Sequence, residues 1–88
     1  MSNIKDLLTF PCEFPIKVMG LASAELKAAV LQTLYKYLPD FKEEQLKYRS
    51  SRNGRYLSIT ANIMASDQET IDKIYIEFNS NPLILMTL

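Results

Sequence analysis

The hydrophobic residues of this chain change period along the sequence, and the order of the changes restricts the fold more than any single motif. Leu57, Ile59, Ala61 and Ile63 alternate with Tyr56, Ser58, Thr60 and Asn62, the period of two that gives a strand one inward and one outward face. Phe14, Ile16 and Val18 alternate in the same way with Pro15, Lys17 and Met19 up to Gly20, which is expected to end that strand. Between these runs, Leu26, Ala29, Val30, Thr33, Leu34 and Tyr37 recur at spacings of three and four, the stripe of an amphipathic helix. Ser23 is placed to cap it, Glu25 suits the positive end of its dipole, and Pro39 stops it after Leu38.

Leu46 and Tyr48 alternate with Gln45, Lys47 and Arg49, a half-buried strand that follows a polar connection through Asp40, Lys42, Glu43 and Glu44. Asn53-Gly54 signals a hairpin turn, lengthened by the Ser and Arg residues on either side. Ser66 with Glu69 reads as a capping box, after which Ile71, Ile74, Tyr75 and Phe78 continue at helical spacing. Asn79-Ser80-Asn81-Pro82 breaks that helix and leaves Leu83 to Leu88 as a short last strand. The order βαββαβ with right-handed crossovers predicts a ferredoxin-like α+β sandwich, a four-stranded antiparallel sheet of order 4-1-3-2 with both helices on one face. Residues 1–88 form one domain in this reading, with 1–13 as an N-terminal covering segment that can form only a turn or two of helix before Phe10-Pro11, and 14–88 as the core.

Composition narrows the chemistry. The 88 residues include no His, so Ser-His and Cys-His catalysis are excluded and the commonest metal ligand is missing. Cys12 stands alone and cannot close an internal disulfide, which fits a reducing cytoplasm. No apolar run approaches a membrane span and the N-terminus lacks a signal-peptide core, so a soluble, unexported cytoplasmic protein is expected. A formal net charge of zero provides no global field for nucleic acid or an anionic membrane. Glu43 with Glu44 reads as a solvated loop, Asp67 with Glu69 as a helix start, and no glycine-rich phosphate loop is present. No catalytic, metal-binding or cofactor-binding residue is assigned.

Leu7-Leu8, Phe10-Pro11, Phe14, Lys17-Val18-Met19-Gly20, Ser50-Ser51 before a glycine turn, and Leu57-Ser58-Ile59-Thr60 together carry a likeness along nearly the whole chain. In these the chain resembles the YbeD-like family of small bacterial proteins of unknown function. The resemblance implies a βαββαβ fold similar to the small regulatory ACT domains, which bind effectors or pair with neighbouring domains, and it implies no activity. Cys12 within the Phe-Pro segment and the apolar Leu85 in the last strand depart from the family pattern.

Two surfaces are candidates for function. Residues 45–66 carry four basic and no acidic side chains, so Lys47, Arg49, Arg52 and Arg55 gather on the hairpin, where arginine can grip a phosphate or carboxylate bidentately. The plainer alternative is a solvated hairpin whose charges discourage edge pairing. If Thr87 points outward, Leu83 and Leu85 face solvent beside Met19, with Lys17 at the rim, forming an apolar docking face. A shift of the last strand by one residue would instead expose Ile84, Met86 and Leu88. RNA recognition is disfavoured because only Tyr56 could stack on a base. The expected function is therefore a noncatalytic regulatory or adaptor domain that docks an unidentified protein partner or pairs as a homodimer. The alternative is an ACT-like domain binding a small anionic metabolite near Gly20 and the N-terminus of the first helix.

Overall fold

The computed structural model describes residues 9–88. Most of the expected covering segment, residues 1–8, lies outside the described residues. The chain runs β1 (Cys12–Leu21), α1 (Ala24–Tyr37), a single 3-10 turn (Glu43–Gln45), β2 (Leu46–Ser50), β3 (Tyr56–Ala65), α2 (Gln68–Ser80) and β4 (Met86–Thr87). All pairings are antiparallel and the spatial order is β2-β3-β1-β4, the predicted ferredoxin-like arrangement. β1 thus begins within the segment assigned to the cover.

The period-two patterns determine which face of the sheet is buried. Ile16 and Val18 of β1 and Ile59, Ala61, Ile63 and Ala65 of β3 point to the helices. They meet Leu26, Val30 and Leu34 of α1 and Ile71, Ile74 and Phe78 of α2 in one core, and a buried side chain of this kind contributes roughly 1.5–3 kcal/mol. Ser23 caps α1 as expected, its hydroxyl accepting from the Leu26 N–H at 3.0 Å. α2 is capped one residue later than the sequence suggests. Asp67 rather than Ser66 is the cap, its carboxylate accepting from the Thr70 N–H at 2.8 Å. The cause is β3, which holds Ala65 in register with Cys12 and delays the turn into the helix. Glu69 then pairs one turn on with Lys73, at 2.9 Å.

Of three further readings, two need correction and the lengthened hairpin loop holds. Phe41, in the stretch read as a polar connection, is buried in the core and takes Tyr35 edge-on, with ring centroids 6.2 Å apart. Asn53-Gly54 sits inside a longer loop closed by the Ser51 N–H bonding to the Tyr56 carbonyl at 2.9 Å, and Gly54 adopts a φ of 72°. Gly20 does not end β1, which continues through Leu21. Its role is close approach, because a Cβ there would collide with the Leu83 backbone carbonyl and press on the Leu26 methyl groups.

The last strand shows why its phase could not be read. Thr87 lies opposite Val18 and therefore points toward the helices, not outward. Met86 lies opposite Met19 on the open face, while Ile84 is buried in the core. Leu85 and Met86 thus both face away from the core, with the Leu85 N–H bonding to the Met19 carbonyl at 2.8 Å. Alternation is broken at that step, so neither expected phase holds. A short run apolar on both sides has no polar residue to pin its register.

The two glycines should respond differently to the same change. Gly20→Ala forces the 83–85 backbone away from β1 and should cost about 1–3 kcal/mol in urea unfolding. Gly54→Ala meets open space and pays only for its left-handed backbone, about 1–2 kcal/mol, while leaving β4 amide exchange unchanged. Faster exchange at the Leu85 and Leu88 amides in Gly20→Ala, and in that variant alone, would identify the steric cause.

Candidate functional site

The outward faces of β1, β2 and β3 form an open sheet surface uncovered by either helix. Strand register sets it out in rows: Lys47, Thr60 and Lys17 in one, Arg49, Ser58 and Met19 in the next. A depression of about 300 Å³ lies here, lined by Lys17, Met19, Arg49, Ser51, Tyr56 and Ser58, with Ser50 completing its wall. Of the four hairpin cations only Arg49 lines it. Lys47 stands one row away, Arg52 lies in the exposed loop, and Arg55 places its guanidinium 5.9 Å from the centre of the Tyr56 ring. Lys17 and Met19, grouped by sequence on one docking face, share this depression with Arg49. Sequence reasoning missed this meeting because the pairing of β1 with β3 and of β3 with β2 brings together residues from three separate segments.

Leu83 and Leu85 lie elsewhere. With Leu21 and Pro82 they line a groove of about 310 Å³ at the start of α1, which Ser23 and Glu25 close. The exposed margin continues along β4: Leu21 is 53% exposed, Leu83 42%, Leu85 61%, Met86 50% and Leu88 62%. This is also the neighbourhood of Gly20 and the α1 N-terminus, where a small anion was considered. Glu25 is acidic, Ser23 already accepts from Leu26, and the remaining walls are apolar, so the groove suits an apolar side chain better than an anion.

The densest polar cluster lies between the helices. Glu77 of α2 accepts from the Lys36 ammonium at 2.8 Å, the Tyr37 hydroxyl at 2.9 Å and the buried Thr33 hydroxyl at 3.2 Å. The Lys36 ammonium, with help from the Tyr37 and Thr33 hydroxyls, holds the Glu77 carboxyl below its ordinary range. Each partner comes from α1, so the cluster ties one helix to the other. Glu43, read as a solvated loop residue, pairs with Lys27 at 2.8 Å, and Lys27 also lies 5.3 Å from the Tyr48 ring centre. A further cavity of about 380 Å³, at the C-terminal end of α1, is lined among others by Tyr37, Asp40, Phe41, Met64 and Ser66. Its Gln45 is already committed, donating to the Asn62 carbonyl at 2.9 Å. Among the described residues no three His, Cys, Asp or Glu side chains come together as a metal site, and no helix is long and apolar enough to cross a membrane.

Sheet order, helix placement and an open face define a ferredoxin-like α+β domain. The fold matches the solution structure of protein HP0495 from H. pylori, with a TM-score of 0.77 at 18% identity over 92% of this chain and 85% of that one. In sequence the chain is 39% identical to a UPF0250 protein of Nitrosomonas europaea, over 96% of this chain and 97% of that protein. It is 36% identical to a UPF0250 protein of Neisseria gonorrhoeae, over 98% and 94% respectively. Residues 5–88 match the family described as a protein of unknown function, DUF493. The chain belongs to that family, and the YbeD-like resemblance seen in the sequence holds.

The Glu77 cluster makes a pH-dependent prediction. Because its folded-state pKa is depressed, the stabilisation is complete above the unfolded value and is lost as pH falls through the folded one. Glu77→Gln should therefore cost on the order of 1 kcal/mol near neutral pH. The gap to the wild type should narrow between neutral pH and a pH below the ordinary glutamate range. Urea unfolding at both pH values measures it, and a gap that stays constant would show that the carboxylate charge is irrelevant.

Proposed function

We propose that this chain is a noncatalytic regulatory or adaptor domain of the cytoplasm that works by pairing with a second copy of itself along the β4 edge. The observation that carries this reading is the uncharged apolar margin formed by Leu21, Leu83, Leu85, Met86 and Leu88. Residues 78–88 contain no ionisable side chain and Glu25 borders the margin only at the start of α1, so a two-fold contact centred on β4 brings no like side-chain charges into direct opposition. The other edge of the sheet, β2, carries Lys47 and Arg49, and two such edges would repel each other. A contiguous exposed apolar strip of this kind is a mark of association. Four of the acidic side chains have structural occupations, Glu43, Glu69 and Glu77 in ion pairs and Asp67 in a helix cap. In a reducing cytoplasm Cys12 stays a thiol.

Sedimentation equilibrium over about a hundredfold range of concentration should reveal a reversible dimer. Leu85→Asp should weaken it at least tenfold, about 1.4 kcal/mol, with an unchanged far-ultraviolet circular dichroism spectrum. Arg49→Ala, on the open face, should dimerise normally. A wild type that stays monomeric throughout, or a Leu85→Asp variant that associates as well as wild type, would refute the proposal.

A further inference from the structure

We propose that the open face of the sheet binds a small phosphomonoester in the depression between Lys17 and Arg49. The site uses β1, β2 and β3, whereas the apolar margin through which the chain is proposed to self-associate runs along β4 and adjoins it only at Met19 and Met86. Two cations from non-adjacent strands line a depression whose wall also includes Ser58 and Tyr56 on the outward face of β3 and residues 50–51 of the loop, and among the described residues no acidic side chain lines it. β3 separates β1 from β2 by roughly 10 Å in all, a gap that a phosphate group held over Ser58 can bridge.

Lys17 is half-buried at this position. The ion pairs among the described residues join Lys27 to Glu43, Lys36 to Glu77 and Lys73 to Glu69, and they involve none of Lys17, Lys47, Arg49 and Arg55. The acid on the same face of β1, Glu13, lies about 13 Å along the strand, four residues away. A partly desolvated cation without a counter-charge gains most from an incoming anion.

The pocket wall is also fixed in place. The Ser51 hydroxyl donates to the Asn53 side-chain oxygen at 2.9 Å and accepts from the Tyr56 N–H at 3.0 Å, and the Arg55 N–H is held by the same Asn53 oxygen at 3.0 Å. The loop therefore presents Ser51 and Tyr56 to the pocket in a set geometry, with the Arg55 guanidinium stacked near the Tyr56 ring. Arginine's fork favours a group with several oxygens, such as phosphate. The Tyr56 ring and Met19 offer apolar surface to whatever the phosphate esterifies. A volume of about 300 Å³ sits at the small end of ligand pockets, the size of a phosphorylated metabolite rather than of a polymer.

The test is titration of the isotopically labelled full chain with inorganic phosphate and with phenyl phosphate, followed by amide chemical shifts. Saturable shifts are expected at Lys17, Met19, Tyr56 and Ser58, with phenyl phosphate binding more tightly than phosphate. Lys17→Ala and Arg49→Ala should each raise Kd about tenfold or more, while Lys73→Ala on α2 should leave it unchanged. Tyr56→Leu should lose the preference for phenyl phosphate but keep binding of phosphate itself. All these positions lie outside the core, and retained amide dispersion verifies that each variant folds. Shifts that never saturate, or a Lys73→Ala variant weakened as much as Arg49→Ala, would overturn the proposal. A short single-stranded oligonucleotide that binds far more tightly than phenyl phosphate, with a steep salt dependence, would overturn it in favour of nucleic acid.

Discussion

The antiparallel pairing of β1 with β3 is the constraint on which the other parts depend. It runs without interruption from Cys12 opposite Ala65 to Leu21 opposite Tyr56, and its register puts Ile16 and Val18 on the same face as Ile59, Ala61 and Ile63. That shared apolar face is what both helical stripes bury against. A slip of β1 by one residue against β3 would turn Ile16 and Val18 to solvent and bring Lys17 and Met19 under the helices, an arrangement no amphipathic stripe could cover. The same register places Lys17 beside Thr60 and Met19 beside Ser58, so the open face is arranged by the pairing that forms the core.

The two edges of the sheet are built differently and have different consequences. β2 is held to β3 over its whole length and carries alternating cations that protect it from edge pairing. β4 is a two-residue ladder fastened to β1, helped by paired hydrogen bonds between Lys17 and Leu88 and by the Tyr75 hydroxyl donating to the Leu88 carbonyl at 3.2 Å. Its approach to β1 requires that position 20 lack a side chain, because the Leu83 carbonyl occupies the space a Cβ would take. On the helical layer, Glu77 draws Thr33, Lys36 and Tyr37 together and fixes α1 against α2 near their solvent-facing sides. A small domain with a single core gains from such a tie, since apolar stripes alone specify a crossing angle only loosely.

Much of the fold was legible because its signals are local and repeated. Leu57 to Ile63 alternate strictly, Leu26 to Tyr37 keep helical period, and Pro39 and Pro82 stop the helices where a missing N–H must. Where the sequence reading went astray, two local solutions competed and a distant contact chose between them. Ser66 and Asp67 are both good caps, and the β3 ladder selected Asp67 by keeping Ala65 extended. Phe41 stands among charged residues and shows no periodicity, yet the turn into β2 delivers it to the core. In the candidate sites, the hairpin cations were readable as a charge count, but not which of them shares a pocket.

The sequence by itself determined the order of elements, the inward face of each long strand and helix, and the absence of histidine chemistry, because these follow from the period and type of neighbouring residues. Only the tertiary structure decided that Lys17 and Arg49 line one depression, since strands distant in sequence become neighbours only through sheet register. It alone decided that Leu85 and Met86 are both turned away from the core. A short, uniformly apolar segment has no pattern of its own, and the backbone of β1, with Gly20 leaving room, imposes the irregular path it follows.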